Sequence, residues 1–418
     1  MELLPFQTQA KWDMMKIIQS RRGVYNAYEM GLGKTIQSLS VCDELNYSHI
    51  LIICPAVVRL VWRNEIEKFI PHKKDRFEIV SYEMATKNAE DLSNQHFDCL
   101  ILDEAHKVKN HKTLRSQAIF QHLWPKIPYK ICLSGTPFTQ SVLDCWTLFS
   151  RLAPEHFEDY WKFANTYTKV KRTPWGPKFE GVKNAEQLKK IIRSTFFIRE
   201  TLETVGHELP DKTWQKIILP ESLAVKMTAE QEKAHKEYIK KVIASFKSDH
   251  PTRRPVPPVS SSTWRKEQGI KKLPAILEFS QNLLDQGIPT VLMCYHREFA
   301  NKLKKGLKKF NPVVITGDTN EKDRSQAVRA FQEGGTNCFI GNIQAAGIGI
   351  TLTRSSTMLF GEYSWIPSDI QQSVARILRI GQKNHVNIYY FVVENSIDEE
   401  MIEAVIERSK DFKSVLGG

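Results

Sequence analysis

The sequence predicts an α/β fold of two lobes, each a parallel β-sheet covered by helices on both faces, with helical insertions between them. Three observations carry that expectation. Short β-rich apolar runs recur at Val24–Ala27, Ile50–Cys54, Cys99–Leu102 and Ile131–Leu133, and again at Val291–Tyr295, Val313–Thr316, Cys338–Ile340, Met358–Phe360 and Ile388–Val393. These runs are continuously apolar instead of alternating, so both faces of each strand are covered, as in parallel sheets under helices. The runs also fall into two sets, and a length of 418 residues suits two or three domains of roughly 150 residues each. The expected lobes are residues 1–205 and 206–418.

Between the two sets the pattern changes. Residues 141–200 read as mostly helical, with Trp146, Phe149, Leu152, Trp161 and Phe163 supplying apolar faces, and a further helix is expected over Thr228–Phe246. Residues 247–262 hold Pro251, Pro255, Pro257, Pro258 and three consecutive serines, which reads as a flexible linker or exposed loop.

Hydrophobic residues make up 41% and charged residues 25% of the chain, which permits large cores and excludes a disordered or fibrous protein. The formal net charge of +12 is compatible with a polyanionic partner such as nucleic acid, and equally with a solvated basic surface. None of the seven cysteines forms a C-x-x-C pair or a Cys/His cluster, so no zinc site is indicated. Cys54, Cys99, Cys132 and Cys338 lie in apolar runs, where a reduced thiol behaves as a small core residue. No signal-peptide core precedes Glu2, Lys11, Asp13 and Lys16, and no apolar stretch approaches the ~20 residues that span a bilayer. A soluble, intracellular protein without a membrane partner is expected.

The chemistry concentrates at a few motifs. Glu29-Met30-Gly31-Leu32-Gly33-Lys34-Thr35 follows an apolar run and opens a helical pattern. That is the setting of a phosphate-binding loop: backbone N–H groups of Met30, Gly31, Leu32 and Gly33 close around phosphate oxygens, and the helix dipole favours them. Lys34 is placed to reach the outer phosphates of ATP, and the Thr35 hydroxyl to hold Mg²⁺. The strict G-x-x-x-x-G-K-T pattern fails at its first position, where Tyr28 stands. Asp103-Glu104-Ala105-His106 ends the run Cys99–Leu102, putting two carboxylates at the strand edge where open α/β sheets bind ligands. Asp103 suits Mg²⁺, and Glu104 suits the water that attacks the phosphate. Near the C-terminus, Ser368-Asp369-Ile370-Gln371 reads as a capping box, with Gly381 as the helix stop. On that helix Gln372, Arg376 and Arg379 share one face, and two guanidiniums there suit phosphate charge developing in a transition state.

Taken together these motifs resemble the superfamily 2 helicases, and within them the SWI/SNF-type DNA translocases. Leu4-Pro5-Phe6-Gln7 resembles the adenine-reading Q motif, and Glu29–Thr35 with Ile36-Gln37 resembles motif I. Ile53-Cys54-Pro55 with Trp62 and Glu65 is similar to motif Ia and its following helix. Asp103–His106 with Lys107-Val108-Lys109-Asn110 is similar to motif II, and Ser134-Gly135-Thr136-Pro137 to motif III. Thr316-Gly317-Asp318, Gln344–Leu352 and Gln372–Gln382 resemble motifs IVa, V and VI, and the ending Arg379-Ile380-Gly381-Gln382 is the most diagnostic. Leu378 stands where the family usually has His. Pro174-Trp175-Gly176 with Gly181 and Asn184, Leu209-Pro210-Asp211-Lys212, and Phe360-Gly361-Glu362 with Trp365 resemble the HARP-like, annealing-helicase branch.

The resemblance implies two RecA-like lobes facing each other with ATP in the cleft. Lobe 1 would supply Gln7, Lys34, Thr35, Asp103 and Glu104; lobe 2 would supply Gln372, Arg376 and Arg379. It implies sequence-independent phosphate contacts from Pro55, Ser81, Lys107, Lys109, Thr136, Gly317 and Gln344, with Lys109 equally readable as an ordinary surface lysine. Trp175, among Lys169, Lys171, Arg172 and Lys178, suits stacking on an unpaired base, or plain packing. The expected activity is ATP-driven movement of a monomer on duplex, forked or four-way DNA. The alternatives are a translocase that displaces DNA-bound protein, an RNA helicase, which Gly381-Gln382 argues against, and an inactive scaffold, which intact Lys34, Glu104 and Arg379 argue against.

Overall fold

The structure, a computed structural model, describes residues 2–135, 137, 141–173, 176–205, 209–226, 228–230, 233, 237, 259–347, 349–364, 367–396, 398–399 and 402. It divides into two compact units, the first running to Val205 and the second beginning at Gly206.

In the first unit, helix α1 (Pro5–Arg21) precedes strand β1 (Gly23–Asn26), α2 (Lys34–Glu44), β2 (Ile50–Cys54) and α3 (Arg59–Phe69). Strands β3 (Phe77–Ser81), β4 (Cys99–Asp103) and β5 (Tyr129–Leu133) follow, then a hairpin of β6 (Lys169–Thr173) and β7 (Gly176–Glu180), and finally β8 (Phe197–Ile198). The main sheet has the order β3-β2-β4-β5-β1-β8, and its neighbouring strands run parallel. Every residue of β2 is buried, as the unbroken run Ile50–Cys54 requires. Leu51, Ile53, Leu100 and Leu102 join the helices in one core with Phe149, Phe157, Phe196 and Phe197.

The second unit repeats the plan with β9 (Lys212–Leu219), β10 (Thr290–Cys294), β11 (Val313–Ile315), β12 (Cys338–Asn342), β13 (Thr357–Phe360) and β14 (Val386–Val393). Its sheet, ordered β11-β12-β10-β13-β14-β9, is also parallel throughout. The helix Arg297–Gly306 buries Phe299 and Leu303 against this sheet, with Leu307 just beyond it, and turns Lys302, Lys304 and Lys305 to solvent. The lysine run is therefore the outer face of a core helix.

Four expectations need correction. Strands β3, β8 and β9 have no counterpart among the apolar runs, and all three are sheet edges. An edge strand is covered less completely, so β3 admits Glu78 and β9 admits Lys212, Gln215 and Lys216. Residues 141–200 are not helical throughout. Helices Trp146–Leu152, Tyr160–Tyr167 and Ala185–Thr195 flank the antiparallel β6–β7 hairpin. The serines at 260–262 belong to the helix Val259–Asp285, while the rest of the expected linker, and most of Thr228–Phe246, lies outside the described residues. Finally, the helix Pro367–Val374 ends before Arg376 and Arg379. The carbonyl of Arg376 accepts the N–H of Leu352 at 2.9 Å, and the bonds after Val374 tighten to i→i+3 spacing at Arg376 and Ile377.

All seven cysteines are free and buried. Among the described residues no helix is long and apolar enough to cross a membrane.

One buried charge is tied to the second core. Lys272 lies on the Val259–Asp285 helix, 1% exposed, 2.9 Å from the Asp398 carboxylate, and donates to the carbonyl of Phe391 at 3.0 Å. Removing one member of such a pair strands the other. Lys272→Met is expected to destabilise the second unit by about 3–5 kcal/mol in a urea titration, and adding Asp398→Leu to recover most of that loss.

Candidate functional site

Between β1 and α2 the chain forms a tight loop. Gly31 (φ 88°) and Gly33 (φ 80°) take left-handed conformations, and Gly33 is the N-cap of α2. A Cβ at Gly33 would stand 2.4 Å from Gln7 Nε2, so the bare glycine lets α1 close over the loop. Met30 and Leu32 turn inward and are buried. The ammonium of Lys34 lies over the loop and donates to the carbonyls of Tyr28 (2.8 Å) and Glu29 (3.3 Å). Thr35 follows on the first turn of α2, half-buried.

A set of amides holds this loop. Gln37 donates to the carbonyl of Leu32 at 3.0 Å and accepts from Asn26 at 2.7 Å, while Asn26 accepts the N–H of Tyr28 at 3.0 Å. Gln7 accepts the N–H of Leu4 at 3.1 Å and faces the same Leu32 carbonyl at 3.4 Å.

The acidic pair ends β4. Asp103 accepts the indole N–H of Trp62 at 2.8 Å and the N–H of Glu104 at 3.0 Å. Burial, reinforced by repulsion from Glu104, pushes its carboxyl up to about 6, and the Trp62 bond and the Lys34 ammonium oppose that rise. Lys34 is thus close enough to act on Asp103. Glu104 has a left-handed backbone (φ 54°), rare for a side-chain-bearing residue. Its carboxylate lies 3.3 Å from His106 Nδ1, which is 2.9 Å from Ser134 Oγ. Beside Ser134, a Cβ at Gly135 would come within 3.0 Å of Met30 and 3.2 Å of the Lys34 ammonium. The two glycines keep the cradle open. Helix N–H groups, an ammonium, a hydroxyl and two carboxylates make a donor set that fits a nucleoside triphosphate with Mg²⁺.

The chain leaving β8 is fastened to the same loop. The Glu29 N–H donates to the carbonyl of Glu200 at 2.9 Å, and the Glu29 carboxylate accepts from Leu202 at 2.7 Å. Arg199 donates to the carbonyls of Ala27 (2.9 Å) and Gly135 (3.4 Å).

In the second unit Arg376 and Arg379 meet despite the shortened helix. Both donate to the Ile350 carbonyl at 3.3 Å, and Arg379 also donates to the Thr351 hydroxyl at 2.8 Å. Arg376 Nε is held by the carbonyl of Gln372, itself buried, at 2.9 Å. The Gln382 amide donates to the carbonyls of Thr353, Ser355 and Ile377 and accepts from Lys383 and Asn384. It clasps the chain behind the arginines.

The expected DNA contacts lie at strand ends. Pro55 follows β2, Ser81 ends β3 and caps the next helix by accepting from Met84 at 3.2 Å, and Lys107 lies just past β4. Lys109 pairs with Asp144 at 3.1 Å, and its carbonyl accepts from the Thr147 hydroxyl at 2.5 Å. Gly317 follows β11 with open space where a Cβ would stand, and Gln344 is exposed at the start of the helix Ile343–Ala346. Thr136 and Trp175 lie outside the described residues. Sequence reasoning gave no role to Asn26 or Arg199 and none at Asp103 to Trp62. Only the tail Ile36-Gln37 and the Trp62 of motif Ia offered a signal.

The profile of the SNF2-related domain matches residues 7–78 and 72–255, and that of the helicase conserved C-terminal domain matches residues 270–381. The chain is 28% identical over 431 residues to the SWI/SNF-related matrix-associated actin-dependent regulator of chromatin subfamily A-like protein 1 of Xenopus tropicalis, covering 98% of this chain and 44% of that protein. It is 27% identical to the DNA annealing helicase and endonuclease ZRANB3 of Homo sapiens, covering 100% of this chain and 40% of that protein. The chain thus spans less than half the length of these relatives. A Sulfolobus solfataricus SWI2/SNF2 ATPase core in complex with dsDNA aligns over 100% of this chain and 97% of its own, with 21% identity and a TM-score of 0.46.

Asp103 must be ionised to serve a cation, so affinity for Mg²⁺-nucleotide is expected to fall as pH drops through about 6. Trp62→Phe removes a hydrogen bond that favours the ionised form, which raises the Asp103 pKa further and moves the loss to higher pH. Titrating nucleotide affinity against pH checks this, and an unchanged midpoint would sever Trp62 from Asp103.

Proposed function

Because the chain belongs to the SNF2-related family, we propose that it is an ATP-driven DNA motor, hydrolysing ATP to move along double-stranded or branched DNA. The observation that carries the proposal is the convergence of Lys34, Asp103, Glu104 and Gly135 on one loop–helix junction.

The residues divide the work. N–H groups at the start of α2 and the Lys34 ammonium neutralise the outer phosphates of ATP. The Thr35 hydroxyl and the Asp103 carboxylate would hold Mg²⁺. When bound, Mg²⁺ offsets phosphate charge and stabilises the departing oxygen. Glu104 orients the attacking water and accepts its proton, and the His106 ring fixes the Glu104 carboxylate. Arg376 and Arg379 meet negative charge that grows on the phosphate in the transition state. Gln7 keeps the loop in its binding shape and reads adenine, and Gln372 is a further candidate nucleotide contact.

Pro55, Ser81, Lys107, Lys109, Thr136, Gly317 and Gln344 grip DNA phosphates. The grip is sequence-independent and falls with salt. The partner most in keeping with the family branch is forked or four-way DNA, processed by a monomer through annealing, regression or branch migration. The name of the ZRANB3 relative, a DNA annealing helicase, supports this choice.

The deciding experiment measures ATP turnover with single-stranded, duplex and forked DNA and with RNA side by side, using Lys34→Ala as control. Forked and duplex DNA should stimulate the native chain, and Lys34→Ala should be inactive yet folded. Stimulation by RNA alone would move the chain to another class of motor. Arg379→Ala is expected to lower turnover on the order of 10³-fold while changing ATP affinity much less, because it meets transition-state charge. Near-normal turnover would leave it a structural arginine.

A further inference from the structure

We propose that Trp161 is a stacking platform for an unpaired DNA base, set at the margin of the β6–β7 hairpin. The proposal rests on the reading of the chain as a DNA motor and gives it a point of contact with branched substrates.

A single exposed apolar side chain means little by itself. Trp161 is different because its surroundings are built. It lies at the start of the helix Tyr160–Tyr167, capped by Asp159, and is 54% exposed. Beneath it the ring is supported by Phe179 of β7, buried, at 5.9 Å, and edge-on by Tyr160 at 5.6 Å. The indole is therefore presented on a rigid apolar base, which limits the entropy lost when a base stacks on it. The hairpin is fixed in turn: Lys183 donates to the Tyr167 carbonyl at 2.8 Å, and Asn184 to that of Thr166 at 2.9 Å.

The charge around the ring suits a nucleic acid. Lys162 follows Trp161 and is exposed.

Position ties this ring to the machinery. Tyr160 packs on Trp146 at 5.0 Å, and Trp146 on His111 at 5.6 Å. His111 follows the segment Asp103–Asn110, and Thr147, beside Trp146, bonds the carbonyl of Lys109. An unbroken aromatic row thus runs from the chain just after the acidic pair to the exposed indole. Stacking on aromatic rings is indifferent to base identity, as a motor without sequence preference requires.

The test compares equilibrium binding of the full chain and its variants to a labelled fork with dT arms and to a blunt duplex of equal length. Trp161→Ala is expected to weaken fork binding about tenfold, the loss of one stacked base, and to leave blunt-duplex binding within about twofold. Trp161→Phe should restore most of the fork affinity. Lys162→Glu should lower it too, and keeps the test valid if Trp161→Ala melts at a lower temperature. Equal losses on both DNAs, no loss on either, or a native chain that binds fork no better than blunt duplex would each overturn the site. Absence of DNA-stimulated turnover in the native chain defeats the motor reading instead. That readout is separate from binding, so the two failures can be told apart.

Discussion

A loop with two left-handed glycines has no ladder of its own, so its backbone groups must find partners elsewhere. In this protein the Leu32 carbonyl is that anchor. Gln37 reaches it from α2 and Gln7 faces it from α1, and Asn26 at the end of β1 aligns Gln37. The three amides are buried, where each unmade hydrogen bond would cost roughly 1–3 kcal/mol. The loop therefore has one shape available to it. Lys34, Thr35 and the N–H groups of α2 inherit their positions from that shape, as does the close approach of Gly135.

From this anchor the constraints extend in two directions within the first unit. Through Gly135 and Ser134 the loop meets His106, and through His106 it meets Glu104. Through Glu29 and Arg199 it meets the chain that leaves β8 on its way to the second unit. The loop is thus tied to the acidic pair by close packing at Gly135 and to the exit segment by hydrogen bonds. Asp103 is held between opposing effects: burial and Glu104 favour its protonated form, Trp62 and Lys34 its ionised form. A cation arriving beside it shifts that balance toward the carboxylate.

The second unit uses the same economy with different groups. Arg376 and Arg379 share the Ile350 carbonyl, Leu352 takes the Arg376 carbonyl, and Gln382 binds three further carbonyls. The segment Ile350–Ser355 and the arginine-bearing turn are joined by these hydrogen bonds. Ending the helix at Val374 makes this possible. A continuous helix would have used the Arg376 carbonyl within itself.

The central strands, the glycine loop that opens α2 and the acidic pair were legible in the sequence because each depends on neighbours in the chain. Strands buried on both faces must be apolar throughout, and a tight loop that opens a helix needs its left-handed glycines in fixed local order. Edge strands β3 and β9 escaped because partial cover relaxes that demand, and β8, though buried, is only two residues long and offers no run to read. The hairpin escaped because its apolar residues, Val170 and Phe179, alternate with charge and mimic a polar stretch. Trp62 at Asp103, Arg199 across Ala27 and Gly135, and the meeting of Arg376 with Arg379 at Ile350 were decided only by tertiary structure. Their partners lie 41, 172, 64, 26 and 29 residues away. Chain-local spacing encodes which groups a segment offers. Which of them meet is set by how buried faces pack and which carbonyls remain to be satisfied.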